Sequence, residues 1–529
     1  MRKPACVPHG RARGSSRVSV RVSIVARLWR WALALFFAVP LLVLVLTAGR
    51  ELTLAHILAA AGSQAARNTV FLATATSVGA GAFGAVAAWA LTHLSLPCAR
   101  ALRETLLFPA ALPPLLLAMG YFDLYPLRGL VAMIVVSVVS FTPWVIAPVL
   151  AALERTDSTL SEAARIAGAS PMRAFLSVTW PLVRGEWLAS VSVVFSATAA
   201  SFGVPYFFST LSSDRPRTLT LAMADALNAG DLSQSLAWAV PLLALALATT
   251  VLAQRRALGD VQRAAAPLTR EPSWRMAAAL WCYALAAVMM PLAALALRAT
   301  ARDPAALFGP RSLGAISLVL SRPEAVVILL RSISLATAAA VVISMLGVAF
   351  ARRRTAAHHL PALLYALPAT VLALAWVALA ALHVRLRIGP LRIVLLLSDS
   401  LWLLMLAYMS KYLYIGIDTA RTAMERLSPT LLEAARVSGA SSIRAFLSIT
   451  LPLIRRPLAA TFALLWVTLF PELTLSILLF GPHTETAGTW LFDLATYTDP
   501  AQGAALALLI AALTILFRGA LAYGSPLRA

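Results

Sequence analysis

The sequence predicts an all-α, polytopic membrane protein with about twelve transmembrane helices in two parallel six-helix repeats. The chain has 529 residues, of which 60% are hydrophobic, and its mean hydropathy is +0.83. A soluble domain contains only about 45–50% apolar residues. Apolar runs of about 20 residues, long enough to cross a bilayer as helices, recur along the chain. A polar segment between two such runs also occurs twice.

The repeated segment reads TLSEAARIAGASPMRAFLSVTWPLVR at residues 159–184 and TLLEAARVSGASSIRAFLSITLPLIR at residues 430–455. Its offset is constant, because 433 − 162 and 452 − 181 both give 271. A shared bias toward alanine and leucine would not place charges, glycine, an aromatic residue and proline in register. The chain is therefore predicted to be an internal duplication with one polar loop in each half.

Each loop is predicted to be two short helices joined at an elbow beside a bilayer. In the first copy, Thr159 and Glu162 have the spacing of a capping box. Gly168 permits the left-handed residue that commonly ends a helix. Ser170 then caps a second helix, with Pro171 in its first position. The second copy repeats this plan, and a proline in each copy is expected to mark the return to the membrane.

The apolar runs set the order of the spans. In the first half we predict spans at 31–48, 68–92, 105–122, 130–153, 187–210 and 236–254. In the second half we predict spans at 276–297, 332–351, 361–382, 400–417, 458–480 and 504–518. Residues 212–235 are expected to form an outside loop. Segment 384–398 is open between an outside amphipathic helix and the start of the tenth span.

These spans divide the chain into four parts. A basic tail (1–30) precedes a first half (31–254) that contains its loop at 154–186. A linker (255–275) precedes a second half (276–522) that contains its loop at 418–457. Because cytoplasmic segments of membrane proteins carry excess arginine and lysine, we place the tail, the linker and both loops in the cytoplasm.

The formal net charge of +22 does not predict a nucleic-acid partner, because the basic residues lie between apolar runs, where orientation signals belong. Some arginines in predicted outside segments of the second half run against that rule. They are Arg298, Arg302, Arg311, Arg322, Arg385, Arg387 and Arg392. The tail, the linker and the duplication outweigh them.

The lysines exclude one kind of site. Lys3 and Lys411 are the only lysines, and neither lies in a Gly-Lys-Ser/Thr sequence. The chain therefore has no standard phosphate-binding P-loop, and any ATP hydrolysis is expected on another polypeptide. The three cysteines show neither pairing nor metal-ligand spacing. We predict no cofactor, no resident metal and no enzyme activity.

The duplicated loop resembles that of the membrane subunits of bacterial ABC importers. Their pattern is Glu-Ala-Ala, three residues, Gly, nine residues, Ile-x-Leu-Pro. The second copy fits it fully, and the first has Val178 and Trp180 at two packing positions. The positions that the resemblance assigns to ATPase coupling are Glu162, Ala163, Ala164, Gly168, Pro181, Glu433, Ala434, Ala435, Gly439 and Pro452.

The resemblance covers roughly residues 30–520 and implies a permease with both halves fused. It implies two ATP-binding cassette subunits docked on the loops, a periplasmic substrate-binding protein, and a place in the inner membrane with a cytoplasmic N-terminus. The stretches SFGVP, LAYMSKYLYIGIDTA and ELTLSILLFGPHTET are most similar to the ferric-iron group. Similar permeases serve thiamine, aminoethylphosphonate, polyamines or sulfate, and these substrates stay open.

One acidic residue is predicted to lie at membrane depth. A carboxylate there is costly and indicates a path or a paired site, which makes Glu472 a candidate. The matching position is Ser201 (472 − 271), and Gly203 and Pro205 can bend its helix. We predict that these four residues line the translocation path. The alternative is that Glu472 bonds a hydroxyl between helices. Lys411, near the inner end of its span, is expected to snorkel.

Two other function classes are alternatives for this sequence. A proton-coupled secondary transporter can also consist of two six-span repeats, but it would need several titratable residues at midplane and no ATPase. A membrane-embedded enzyme is less consistent with the sequence, because no cluster of His, Asp and Cys suggests catalysis.

Overall fold

The computed structural model describes residues 37–50, 52–125, 127–156, 158–254, 271–303, 307–351, 359–382, 385–388, 391–394 and 400–524. The predicted tail (1–30) and most of the predicted linker lie outside these residues. The helices of the first half are α1 (Phe37–Arg50), α2 (Leu54–Ala61), α3 (Gln64–His93), α4 (Ala99–Leu107), α5 (Pro114–Leu124), α6 (Gly129–Phe141), α7 (Pro143–Arg155), α8 (Ser158–Ile166), α9 (Pro171–Ala174), α10 (Trp180–Ala199), α11 (Gly203–Thr210), α12 (Leu219–Asn228) and α13 (Leu232–Gln254).

The helices of the second half are α14 (Trp274–Tyr283), α15 (Met290–Ala299), α16 (Gly314–Ser321), α17 (Pro323–Ala351), α18 (His359–Ala366), α19 (Ala369–Ala381), α20 (Leu401–Glu425), α21 (Pro429–Val437), α22 (Ser442–Ala445), α23 (Leu451–Leu469), α24 (Thr474–Leu479), α25 (Ala487–Tyr497) and α26 (Pro500–Gly524). Wider π turns follow α9 (Phe175–Thr179), α14 (Ala284–Met289) and α22 (Phe446–Thr450), and a 3₁₀ turn follows α4 (Phe108–Ala111).

The all-α membrane class is confirmed. Among the described residues, seven helices are long and apolar enough to cross a membrane, and four further pairs of bent helices bring the number to as many as eleven. The remaining predicted span corresponds to α20, whose charged residues lower its hydropathy. α20 nevertheless packs along α17 over much of its length.

Several predicted spans are bent rather than straight. The chain turns by 107° between α1 and α2, by 106° before α5, by 46° between α10 and α11, and by 112° between α18 and α19. Pro113 and Pro368 stand at two of these bends, because a residue before proline is driven out of the helical region. An apolar run shows that a segment is buried, but it does not show whether the helix turns.

Two loop predictions need correction. Residues 212–235 are not an open loop, because they contain α12, in which Leu219 and Met223 are fully buried. Segment 384–398 contains neither an amphipathic helix nor the start of a span. Its described part is an antiparallel hairpin of β3 (Arg385–Ile388) and β4 (Leu391–Val394). Arginine alternating with branched apolar residues suits a strand as well as a helix face.

The two halves interlock. α15, the outer part of the first span of the second half (Trp274–Ala299), packs against α5 of the first half. Tyr121 of α5 donates a hydrogen bond of 3.0 Å to the carbonyl of Ala287. A Cβ atom added at Gly120 would lie 2.2 Å from the carbonyl oxygen of Pro291, so the two backbones touch. On the other side, Leu44 of α1 belongs to the same apolar cluster as Leu374 of α19. The first span of the second half thus contacts the first half, and a shared apolar cluster includes residues of α1 and α19.

Both loops lie on the same face of the molecule. β1 (Leu94–Ser95) pairs in parallel with β2 (Glu271–Pro272), which brings the end of α3 beside the start of α14. Near this point, Arg103 forms a 3.3 Å ion pair with Glu154, just before the first loop. From α14 the chain crosses outward and returns through α17, and α20 runs alongside α17 into the second loop. We call this side the loop face.

Candidate functional site: two exposed loops and two broken spans

The two loops have the same backbone. Gly168 has a φ of +88° and Gly439 a φ of +81°, which confirms the predicted left-handed elbows. The next residue in each copy donates a backbone hydrogen bond to a carbonyl five residues earlier, at 3.0 Å from Ala169 and at 2.9 Å from Ala440. This is the Schellman pattern that satisfies the end of a helix. The predicted caps of the next helices are also present: Ser170 and Ser441 each accept a 3.3 Å bond from a backbone amide.

Two details of the loop prediction were wrong. Thr159 and Thr430 do not stand at the cap positions predicted for them, because α8 begins at Ser158 and α21 begins at Pro429, which puts both threonines inside the helices. The second helix of each loop is also not short. It continues through a π turn into α10 or α23, which then enters the fold. A proline lacks an N–H and crowds the preceding turn, and the wider π turn just before Pro181 or Pro452 accommodates it.

The loops expose matched apolar side chains. Ile166 and Val437, at equivalent positions, are each 89% exposed, and Leu176 and its counterpart Leu447 are each 55% exposed. The two copies therefore present the same pattern although their sequences differ at the first position. The coupling candidates Glu162, Ala163, Gly168 and Pro181 are exposed, and so are Glu433, Ala434, Gly439 and Pro452; Ala164 is half-buried and Ala435 is buried. The two copies thus carry matched exposed apolar side chains, the kind of surface feature that can mark a site of interaction.

The loops connect to two broken spans. α10 ends at Ala199 and resumes as α11 at Gly203, and α23 ends at Leu469 and resumes as α24 at Thr474. A Cβ atom added at Gly203 would lie 2.9 Å from the side chain of Leu473, so the two breaks face each other across the halves. The carbonyl of Ser201 accepts a 2.9 Å bond from Thr220 of α12. The structure therefore places Gly203 of the first half beside Leu473, the residue after Glu472.

Glu472 lies in the second break and is 8% exposed. Its carboxylate accepts hydrogen bonds from the amide of Leu475 at 2.9 Å, the amide of Ser476 at 3.1 Å and the hydroxyl of Ser476 at 3.1 Å. A carboxylate at the first turn of a helix stabilises its free N–H groups and opposes its dipole. Glu472 thus holds the start of α24. The bonded hydroxyl belongs to the helix that directly follows, so Glu472 caps that helix and does not itself bond between helices as the alternative had it; the path role stays a prediction.

Aromatic residues of both halves meet beside the first break, and no pattern in the sequence marked them. The hydroxyls of Tyr206 (α11) and Tyr497 (α25) are hydrogen-bonded to each other. The ring of Tyr206 lies 4.6 Å from that of Phe492, and the ring of Phe202 lies 6.1 Å from it. A carboxylate inside an apolar run was conspicuous in the sequence, but aromatic residues in such runs resemble ordinary core.

Lys411 does not snorkel. Its ammonium group donates a 2.7 Å bond to the carbonyl of Tyr365 and a second bond to that of Leu367. These carbonyls end α18 at its bend into α19, where a helix has unpaired acceptors and a negative dipole end. The sequence shows the lysine in its span but not the bend that supplies its partners.

Three of the arginines that ran against the charge rule, Arg298, Arg311 and Arg322, donate side-chain hydrogen bonds within the fold. Arg298 makes two bonds to Asp123, at 3.0 and 2.7 Å. Arg322 bonds Gln502 at 2.6 Å, and Arg311 bonds the carbonyl of Leu297 at 2.7 Å. Because these side chains bind partners within the fold, the number of arginines on one side of the protein says less about which side faces the cytoplasm.

The fold and site define a multi-pass helical membrane protein whose halves share an exposed loop followed by a broken span. Residues 343–526 match the family described as binding-protein-dependent transport system inner membrane component. This stretch includes α20, the second loop and the second break, and the first loop lies outside it. The second half thus contains a stretch that matches an inner-membrane component of transport systems, and this match together with the apolar helices indicates a multi-pass protein of the inner membrane.

The chain is similar to several transport permeases. FbpB 2 of Haemophilus influenzae, an Fe(3+)-transport system permease protein, is 30% identical over 161 residues, 30% of this chain and 29% of FbpB 2. ModB of Escherichia coli, a molybdenum transport system permease protein, is 29% identical over 161 residues, 27% of this chain and 69% of ModB. PhnU of Salmonella typhi, assigned to 2-aminoethylphosphonate transport, is 35% identical over 95 residues, 17% of this chain and 33% of PhnU. The matches span a third or less of FbpB 2 and PhnU, and the three relatives differ in what they transport.

Proposed function

We propose that this chain is the membrane-spanning permease subunit of an ATP-driven importer, with two fused permease halves. The main observation in support of this function is the duplicated loop, both copies of which expose equivalent apolar residues. Two equivalent surfaces are expected to bind two equivalent partners. The family match over residues 343–526 supports ATP-binding cassette subunits as those partners.

The proposal fixes an orientation. The loop face, the N-terminus and the linker 255–275 are cytoplasmic, where ATP is available. Substrate reaches the opposite face from a periplasmic binding protein. The breaks around Ser201 and Glu472 lie between the two faces, and each follows directly on a loop helix. Movement at a loop would therefore reach a break through a single helix.

Ferric iron is the proposed substrate. Support comes from the likeness to FbpB 2 and from Glu472, because a carboxylate is a hard oxygen donor suited to a trivalent cation in passage. A lone carboxylate binds such an ion weakly, which suits a path rather than a store. ATP hydrolysis takes place on the partner subunits, so the chain is a transport subunit rather than an enzyme.

An oxyanion such as molybdate or a phosphonate is the second candidate. A cavity of about 250 Å³ opens between the outer ends of α11 and α12. Its lining consists of Tyr206, Ser209, Thr210, Arg215, Arg217, Leu221 and Asp225. Guanidinium and hydroxyl groups donate hydrogen bonds to oxyanions. Similarity to ModB and PhnU favours the same class of substrate.

The test is uptake by cells that lack the gene, compared with complemented cells. Radiolabelled ferric iron, molybdate and aminoethylphosphonate are supplied separately. Loss of iron uptake alone supports the first candidate, and loss of an oxyanion alone supports the second. Depleting ATP should stop uptake. If uptake instead survives ATP depletion and stops with a protonophore, the chain is a secondary transporter and the importer proposal is wrong.

A further inference from the structure

α20 connects the second loop to the interior of the fold. It runs unbroken from Leu401 to Glu425, and only three residues separate it from α21, the first helix of the second loop. The same helix carries Tyr408 and Lys411, which lie almost one turn apart. A displacement of α21 would therefore be passed along a single helix to both side chains.

Lys411 attaches α20 to the first of two breaks. Its ammonium group binds the carbonyls of Tyr365 and Leu367 at the end of α18. The chain turns there by 112° into α19, whose residues Leu372 and Leu374 are fully buried. The carbonyls at the end of a helix lack backbone N–H partners, and the Lys411 ammonium group supplies the donors instead. This holds the bend in place relative to α20.

Tyr408 attaches α20 to the second break. Its hydroxyl forms a 2.6 Å hydrogen bond with the hydroxyl of Ser476 on α24. The Ser476 hydroxyl also bonds the carboxylate of Glu472 at 3.1 Å. Tyr408 and Ser476 are 1% and 0% exposed. In such surroundings water cannot replace a lost hydrogen-bond partner. Breaking any bond in the series from Tyr408 through Ser476 to Glu472 therefore leaves a buried polar group unpaired, which is costly.

A close backbone contact holds α20 against α17. A Cβ atom added at Gly416 would lie 2.6 Å from the carbonyl oxygen of Ile343, and one added at Gly347 would lie 2.4 Å from the backbone of Gly416. Small residues allow membrane helices to pack this closely. The pair therefore forms a stiff support along which α20 passes on a displacement without bending away.

The first half lacks these attachments at the equivalent positions. Ser137, Ser140, Ser201 and Pro205 occupy the places of Tyr408, Lys411, Glu472 and Ser476. The hydroxyl of Ser140 bonds the carbonyl of Val136 in its own helix at 2.8 Å. The helix continues through Thr142, whose backbone is α-helical, from α6 into α7. The duplication has thus kept both loops but only one set of attachments.

We propose that Lys411 and Tyr408 are positioning residues that couple the second loop to the breaks at α18–α19 and α23–α24, so that the second loop controls the path more tightly than the first. This inference rests on the proposed function. It assigns the two loops unequal roles although their exposed surfaces match.

The experiment uses the full importer, with its ATPase and binding protein, reconstituted in lipid vesicles. Lys411→Met and Tyr408→Phe are compared with the matched control Ser140→Ala. The quantity measured is substrate imported per ATP hydrolysed. We expect a loss of about fivefold or more in this ratio for the first two variants, as for the loss of a typical coupling between sites. The control should keep the wild-type ratio.

Tyr408→Phe keeps the ring and removes one hydroxyl, so it carries the test even if Lys411→Met fails to assemble. A wild-type ratio in assembled Tyr408→Phe importer overturns the proposal, and so does an equal loss in Ser140→Ala. The proposed function fails separately, in the unmodified protein, if that protein binds no ATPase or imports nothing when ATP is supplied.

Discussion

At the residue scale, Glu472 joins two roles that substitution can separate. Its carboxylate caps α24, and it stands in the break that faces Gly203 of the other half. Glu472→Gln keeps the shape and one acceptor oxygen but removes the charge. If the residue lines the path, we expect uptake per assembled complex to fall several-fold while ATP hydrolysis persists. Uptake in vesicles and ATPase activity measure the two quantities.

A purely structural role gives a different result. A hydrogen bond to a charged group contributes about 1.5–3 kcal/mol, so the thermal midpoint and uptake would then fall together. Asp231→Asn serves as the control, because it removes the charge of another carboxylate that accepts a bond from a helix-start amide (Gln234, 2.8 Å) without touching either break. Unchanged uptake by a stable Glu472→Ala protein contradicts both roles.

The ion pair between Arg298 and Asp123 gives a prediction about stability. Their side chains are 13% and 11% exposed, and the pair joins α15 to α5 across the halves. Removing one partner of a buried pair leaves an uncompensated charge, at about 3 kcal/mol or more. We expect Asp123→Asn to lower the thermal midpoint of the purified protein, as followed by differential scanning fluorimetry.

The matched control for this prediction is Glu154→Gln. It breaks the ion pair with Arg103, whose side chains are 46% and 47% exposed. An exposed pair contributes about 0–1 kcal/mol, so the midpoint should hardly change. Equal shifts of the thermal midpoint in the two variants would show that burial does not determine how much these ion pairs contribute to stability.

At the element scale, the loops are predicted to dock the ATPase subunits. Gly168→Arg and Gly439→Arg each place a bulky side chain on a left-handed residue, at a backbone cost of about 1 kcal/mol. Space is open around both glycines in the described structure, so the fold should tolerate the change. We expect the double variant to insert into the membrane, lose ATPase co-purification and lose transport.

Gly230 provides the control for the loop variants. It has a φ of +77° and open space around it, but it lies between α12 and α13 on the side away from the loop face. Gly230→Arg therefore imposes the same backbone strain without touching the loops, and it should retain the ATPase. Normal co-purification and transport in the double loop variant would refute the docking role.

At the scale of the whole molecule, orientation is the open prediction. Cysteine probes are placed singly in a variant without Cys6, Cys98 and Cys282. An impermeant thiol reagent should label exposed positions 213 and 483 in intact cells and should not label exposed positions 167 and 441. Thr484 is unsuitable as a probe, because it is only 2% exposed. Labelling of a loop position from outside would reverse the proposed orientation.

The sequence by itself determined the class of protein and the plan of its loops. Long apolar runs fix membrane helices because a bilayer leaves no other way to satisfy the backbone. The left-handed elbows at Gly168 and Gly439 also followed from sequence, because glycine at a helix end has a local conformational reason. The exact offset of 271 residues predicted two equivalent surfaces, which the exposed side chains now show.

Only the tertiary structure decided where the helices bend and which polar groups meet. Lys411 bonds carbonyls that lie 44 and 46 residues away in the chain, and Arg298 bonds an acid 175 residues away. Hydropathy shows that a segment is apolar, but it does not show whether the helix that the segment forms is straight or bent. Such contacts depend on which backbones approach, and that is set by packing between distant helices rather than by local sequence.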